Sequence, residues 1–323
     1  MSKAESFNVV NNHEDLTELL TTVAPEQTPI LSSMPKFRAQ TNGLIEWTTD
    51  DYEEVSFTGV PEGADQTTHK DKSELRERIG NRYQSFRKAY AVSNIQEMSN
   101  PSGIGSEEAK AKSKSMIEMK RDCEAAIGSD NDLVAGSSSA NSIMRGLGAW
   151  INASTASLPE SIRTPAASIG TTSSLTESSF NDVLQSVYDA SGVVQSMKLF
   201  AGTALKRKVS DFTRAEGTTT PTPFVVNSDQ ASKEIIFSVQ FYRGDFANVE
   251  MISDQFLGRV TDTAQNTASK ERGYLLNEDI VNVSVWKSPY IFEQTDEGGG
   301  PRGFSETIKT LVVKNPKGLG KFA

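Results

Sequence analysis

The chain has 323 residues, of which 36% are hydrophobic and 23% are charged, so it can bury a substantial core and is not wholly disordered. Its formal net charge of −9 argues against a chain that acts as a whole by binding phosphate, which requires clustered Lys and Arg. One cysteine, Cys123, excludes an internal disulfide framework, and no stretch approaches the roughly 18 to 20 apolar residues of a membrane span.

Residues 1–43 are predicted to form an extended arm. Asp15 begins a short helical pattern of the capping-box type. Pro25, Pro29 and Pro35 then disfavour regular structure, so this stretch should run extended and take its contacts from other elements.

Residues 44–92 are predicted to form a long β-hairpin. Leu44–Thr49 and Val55–Thr58 have the composition of strands, and the chain returns through Leu75–Val92 after a tip rich in turn residues. A two-stranded hairpin alone is only marginally stable in water. A hairpin of this length should therefore lie on another surface.

The charges of this hairpin are segregated, with acidic residues on the outgoing leg and mostly basic residues on the return leg. Two interpretations stay open: cross-strand pairs within one hairpin, each worth about 0.2 to 1 kcal/mol, or pairs between neighbouring copies that set their register. The candidate intersubunit residues are Asp50, Asp51, Glu53, Glu54, Arg76, Arg78, Arg82 and Arg87.

Ser106–Ile127 carries the clearest helical pattern. Glu107 and Glu108 suit the positive end of the helix dipole, and Gly128 ends the helix. The apolar face is narrow, which favours a helix lying across a domain with one side in solvent. This face consists of Ala109, Met116, Met119, Cys123 and Ala126.

The middle of the chain combines an irregular segment with two further helices. Residues 129–175 are rich in small residues and lack an apolar period, which predicts an irregular segment packed on the protein. Glu177–Ser191 is predicted to be a helix capped by Thr176, with one buried stripe. Ala204–Phe212 is predicted to be a helix capped by Thr203.

Strand patterns dominate the last third of the chain. They cover Glu234–Phe241, Ala247–Ile252, Val281–Trp286, Ser288–Gln294 and Thr307–Val313. Together with the helices they predict an α+β fold.

No constellation of residues points to catalysis. The two histidines, His13 and His69, lie in the proline-rich arm and at the hairpin tip, where no scaffold holds them. Asp130 begins a stretch like a calcium loop, but Asn141 stands where a bidentate Glu is needed. We therefore expect no enzyme activity, no cofactor and no metal site.

The order of these elements, together with several short motifs, resembles the HK97-like major capsid proteins of tailed phages. Each motif is weak alone, but their order and spacing span nearly the whole chain. They are Pro25–Ser33, Glu46–Asp50, Glu118–Glu124, Arg145–Trp150, Val239–Phe246 and Glu306–Pro316. One departure is Ala247, where such proteins often have Gly.

The resemblance implies four named regions. Residues 1–43 would be the N-arm and residues 44–92 the E-loop. Residues 93–192, completed by 301–323, would be the P-domain with its spine helix. Residues 193–300 would be the A-domain, with a mixed sheet and helices.

The resemblance also implies a function and partners. The chain would assemble with copies of itself into pentamers and hexamers of an icosahedral shell around double-stranded DNA, without sequence-specific DNA binding and without a membrane. A separate scaffolding protein, a portal protein and decoration proteins would be partners, with assembly in the host cytoplasm and a final place in the virion capsid. Since the arm motif begins almost at once, little N-terminal processing is expected.

Three other readings remain. The first is an encapsulin-like nanocompartment shell, which shares this fold. The second is an α+β enzyme, and the third is a phage tail or adhesin protein.

Overall fold

The computed structural model describes residues 27–38, 43–53, 55–99, 105–191, 195–212, 240–257 and 267–323. The helices are α1 (Pro29–Ser33), α2 (Asn94–Met98), α3 (Glu107–Ile127), α4 (Leu147–Trp150), α5 (Glu177–Ser191), α6 (Thr203–Asp211) and α7 (Thr267–Glu271). The strands are β1 (Lys36–Phe37), β2 (Leu44–Thr49), β3 (Glu77–Arg82), β4 (Gln84–Ala91), β5 (Ile169–Gly170), β6 (Gln195–Ala201), β7 (Phe241–Arg243), β8 (Ala247–Ser253), β9 (Gly273–Leu276), β10 (Val281–Gln294), β11 (Arg302–Val313) and β12 (Gly320–Phe322). This mixture confirms the predicted α+β class.

The chain divides into two compact units. The described part of the first unit comprises residues 87–99, 105–119 and 290–306. The described part of the second unit comprises residues 27–38, 43–53, 55–86, 120–191, 195–212, 240–257, 267–289 and 307–323. These units do not test the four named regions, which remain a prediction.

The core of the second unit lies on a mixed six-stranded sheet with strand order β5-β12-β9-β6-β8-β7. Helix α5 packs its apolar stripe there, and the N–H of Ser179 donates to Thr176 Oγ1 at 3.2 Å, which confirms the predicted cap. Phe180 is fully buried at the centre of this core. Its ring centroid lies 5.9, 5.1 and 5.3 Å from those of Phe212, Tyr242 and Phe322.

The long C-terminal strands belong to a four-stranded sheet with order β1-β10-β11-β4. The two strands predicted within 281–294 are one continuous strand, β10, and the predicted Thr307–Val313 is the second half of β11. Gly298 and Gly300 adopt positive φ angles of 100° and 108° in the turn between these strands, where residues with a Cβ are disfavoured. The predicted strand Glu234–Phe241 lies mostly outside the described residues.

Helix α3 begins and ends within a residue of its prediction. Within the first unit, Glu97 accepts hydrogen bonds from the N–H of Glu108 at 2.9 Å and from the Ser106 hydroxyl at 2.8 Å, so a side chain outside the helix caps it. Met119 and Cys123 of the predicted stripe are buried, whereas Ala109 is exposed.

Two predicted details near helix starts are wrong. Pro29 does not prevent regular structure: it occupies the first turn of α1, where a missing N–H is tolerated. The helix continues through Ile30 and Leu31, which are both buried. The N-cap of α6 is Gly202 and not Thr203, which is the first helical residue. The predicted helix near Asp15 lies outside the described residues.

Candidate assembly surface

The predicted hairpin forms at its base but not along its whole length. Strands β2 and β3 pair antiparallel from Leu44 opposite Arg82 to Thr49 opposite Glu77. Between them, the described residues from 50 to 76 form neither helix nor strand, so the predicted strand Val55–Thr58 is wrong. In the described chain these four residues pair with no strand on the return leg, and strand composition alone does not make a ladder.

Asn81 anchors the base of the hairpin to the rest of the second unit. Its side chain is fully buried, and its Nδ2 donates to the carbonyl oxygens of Arg145 and Leu311 at 3.2 and 2.8 Å. Its Oδ1 accepts the N–H of Arg145 at 2.8 Å and the N–H of Arg82 at 2.9 Å. One side chain thus ties β3 to an irregular segment and to β11.

Aromatic contacts reinforce this anchor. The rings of Trp47 and Trp150 lie 5.7 Å apart, and those of Tyr83 and Trp286 lie 5.3 Å apart. The Tyr83 hydroxyl also hydrogen-bonds the Ser284 hydroxyl at 2.7 Å. Ring pairs in contact contribute more to stability than the area they bury. The base is therefore a firm support for the residues beyond it.

The outer loop, residues 50–76 apart from residue 54, exposes large apolar side chains. Tyr52 is 95% exposed, Val55 is 95% exposed and Phe57 is 99% exposed, followed by Val60 at 73%. Single exposed apolar residues are ordinary, but four within nine positions make this loop a candidate interaction surface. The sequence holds the same signal as apolar residues within an acidic stretch, although Val55–Thr58 have the composition of a strand.

The predicted contact residues of the loop lie close to opposite charges of the same chain. Arg76 Nε lies 2.9 Å from Asp50 Oδ2, and Arg78 pairs with Glu46. Glu53 pairs with Lys72 at 3.0 Å and with Lys70 at 3.7 Å. Asp51 pairs with Lys317, outside the hairpin, at 3.2 Å. Exposed pairs of this kind contribute about 0 to 1 kcal/mol each.

These neighbours shift the pKa of two carboxyl groups. The N–H of Tyr52 and then the Lys317 ammonium hold the pKa of Asp51 below its usual value. Lys72 and Lys70 likewise lower the pKa of Glu53. A lowered folded-state pKa means that the stabilisation is present above the usual carboxyl pKa and is lost as the pH falls through the folded value. The ion pairs of Asp51 and Glu53 therefore weaken only at acidic pH.

The remaining three candidate residues are Glu54, Arg82 and Arg87. Glu54 lies outside the described residues. The buried Nε of Arg82 makes no hydrogen bond to the residues that the structure describes. In the first unit, Arg87 Nη2 lies 2.6 Å from Glu306 Oε1, and its guanidinium carbon lies 4.4 Å from the centre of the Phe304 ring. Intersubunit contact by the eight candidate residues stays a prediction.

The described part of the chain contains no cluster of three or more His, Cys, Asp or Glu side chains suited to a metal ion. Among the helices described here, none has the length and apolar character needed to cross a bilayer.

The fold is that of capsid proteins. The chain is similar to the solved structure of Gordonia phage Cozz, with a TM-score of 0.59 and 14% identity over 97% of this chain and 91% of that chain. It is also similar to the mature capsid of bacteriophage PhiM1, with a TM-score of 0.62 and 9% identity over 100% of this chain and 96% of that one. For the capsid of an empty GTA particle the TM-score is 0.63, with 10% identity over 98% and 97%.

This likeness defines the class: the chain has the HK97-like capsid fold that the sequence predicted. Residues 3–323 match the family described as SU10 major capsid protein, and the chain belongs to that family. It is thus a structural protein of the virion capsid, and the capsid is assembled from many copies of it. No curated protein matches the chain in sequence.

Proposed function

We propose that this chain assembles into pentamers and hexamers of an icosahedral shell that encloses the double-stranded DNA of a tailed phage. The observation that carries the proposal is the exposed apolar loop on a firmly anchored base. In a lone subunit the loop leaves Tyr52, Val55 and Phe57 in water. Burying each against a second copy would contribute roughly 1.5 to 3 kcal/mol.

The charged residues of the hairpin are proposed to meet neighbouring copies in the same shell. Their segregation on two legs supports this proposal, because a surface with one sign of charge on each side sets register. The ion pairs that these residues form within one chain do not prevent contact with a neighbouring copy, since exposed pairs contribute little to the stability of the subunit.

A separate scaffolding protein, a portal protein and decoration proteins are proposed as partners, with assembly in the host cytoplasm. Membership of a major capsid protein family supports this proposal. The acidic net charge of −9 is compatible with a wall that repels the genome and does not adsorb it.

The direct test combines electron microscopy of purified particles with a measurement of nuclease-protected DNA. Closed icosahedral particles that contain double-stranded DNA after phage infection are expected. Tubes or monomers would contradict the shell. Closed particles that carry protein cargo and no DNA would favour the encapsulin-like nanocompartment.

The loop itself is tested by a double variant, Tyr52→Ser with Phe57→Ser. We expect an unchanged circular dichroism spectrum and a particle yield lower by about tenfold or more, because two apolar contacts are lost only in the shell. Thr58→Ser, in the same loop, is the matched control and should assemble normally. Normal assembly of the double variant would show that the loop does not bury these residues.

A further inference from the structure

A buried carboxylate holds the N-terminal segment, residues 27–34, on the second unit. Glu124, on α3, has no exposed surface. Its Oε1 accepts the N–H of Ile30 at 2.6 Å, and its Oε2 accepts the N–H of Leu31 at 2.8 Å. Ile30 and Met34 are buried as well, so these two hydrogen bonds lie in an apolar environment where they are strong.

A second buried carboxyl group lies against the first. Asp254, only 1% exposed, follows β8, and its carboxyl interacts directly with that of Glu124. Its Oδ1 accepts the N–H of Phe256 at 2.8 Å, and the N–H of Gln255 also interacts with this carboxyl group. Its Oδ2 is buried and receives no hydrogen bond from an N–H or hydroxyl group of the described residues. A proton shared between the two carboxyl groups would supply the missing donor.

The other ionisable groups around the pair favour one shared proton. Lys309 acts on Glu124 electrostatically from β11, and it is nearly buried. Burial raises the pKa of Cys123 to about 12, so this thiol is neutral, and Tyr274, near Asp254, has a raised pKa as well. Arg121 lies over the Phe256 ring, 5.4 Å from its centre. Two carboxylates side by side in this buried site would repel each other, so one shared proton is favoured.

Burial also sets the direction of the pH dependence. It raises the pKa of Glu124 well above its usual value, outweighing the N–H groups of Leu31 and Ile30, which lower it, and it raises the pKa of Asp254 to about 6. The docked state therefore binds more protons than a state in which the pair is solvated. Docking is strongest below the usual carboxyl pKa and weakens as the pH rises through the folded-state values.

We propose that Glu124 and Asp254 form a proton-operated latch for the N-terminal segment. With one shared proton, Glu124 holds the N–H groups of Ile30 and Leu31. When the pair gives this proton to solvent, two adjacent buried anions repel and the segment is released. The latch lies within one chain, so it goes beyond the proposed shell and does not depend on it.

The test is hydrogen exchange on the full chain as purified, read on a peptide that covers residues 29–34. After correction for intrinsic exchange, protection of this peptide should fall by about tenfold or more as the pH rises from about 5 to about 8, since one pKa unit corresponds to a factor of ten. Peptides from β6 should keep their protection. A protection profile that does not change with pH would overturn the proposal.

Two variants separate the latch from general stability. Asp254→Asn should protect the peptide even at about pH 8, because its amide donates permanently to Glu124. Glu124→Gln should leave the peptide exposed at every pH, since its amide can accept only one of the two N–H groups well. Asp182→Asn, an exposed site on α5, is the control and should behave as wild type. If protection of the peptide in Asp254→Asn falls with pH as steeply as in the wild type, the proposed latch is wrong. If this variant does not fold, the pH dependence of the wild-type protection decides.

Discussion

The six-stranded sheet with α5 and the outer loop of the hairpin belong to the same unit, yet they use apolar residues in opposite ways. The sheet buries Phe180 and Leu199 completely, whereas the loop leaves Tyr52 and Phe57 almost fully in water. Burial against the rest of the chain stabilises the subunit, and burial against another copy stabilises only the assembly. Substitutions in the two regions should therefore affect different measurements.

The largest effect is expected in the sheet core. Phe180→Ala removes a ring that contacts three other aromatic rings, and should lower the free energy of unfolding by about 3 to 5 kcal/mol. Urea unfolding of unassembled subunits measures this change. Phe57→Ala, the same substitution in the loop, is the matched control and should alter that free energy by less than about 0.5 kcal/mol. Equal losses for the two variants would erase the distinction between the regions.

A substitution at Asn81, which connects the hairpin to the rest of the unit, should lower the free energy of unfolding by an intermediate amount. Asn81→Ala leaves the N–H of Arg145 and the carbonyl of Leu311 without their partner, at a cost of about 1 to 3 kcal/mol. Hydrogen exchange should rise in β2 and β3 before it rises in β6. Thr48→Ala, exposed on the same hairpin, should leave exchange unchanged. Uniform loss of protection would show that Asn81 supports the whole unit and not the hairpin base.

The sequence predicts an element well when the residues that specify it lie within the element itself. Helices α3 and α5 are predicted to within a residue, because capping residues, first-turn acids and an apolar period all lie inside the segment. The short strands β9 and β12 were not predicted, since three or four residues carry no usable period. Helix α1 is not predicted by the sequence, because a proline disfavours the interior of a helix but suits its first turn, where Pro29 lies.

The candidate surface shows the same limit. Charge segregation on the hairpin could be predicted from sequence, and so could the apolar residues of the loop. The anchor at Asn81 could not, since its partners Arg145 and Leu311 lie 64 and 230 residues away along the chain. The pairing of Glu124 with Asp254 likewise joins two elements that only the folded chain brings together.

The smallest effect on subunit stability, and the most informative for the loop, comes from exchanging charges. Asp50→Arg and Arg76→Asp each break a pair that is exposed, so each should change the free energy of unfolding by less than about 1 kcal/mol. Each alone should assemble poorly, because like charges then face each other. Particle yield by microscopy is the measurement, and the double variant in one chain should restore it.

A mixture of the two single variants decides between the two interpretations of the charged legs. If Asp50 of one copy meets Arg76 of another, each variant supplies the partner that the other lacks, and the mixture should form particles. This is the outcome that the intersubunit proposal requires. If the pair serves only its own hairpin, both chains in the mixture keep their repulsion, and only the double variant assembles. In that case the apolar loop alone would remain as the proposed contact between copies, and the charged residues would only stabilise their own hairpin.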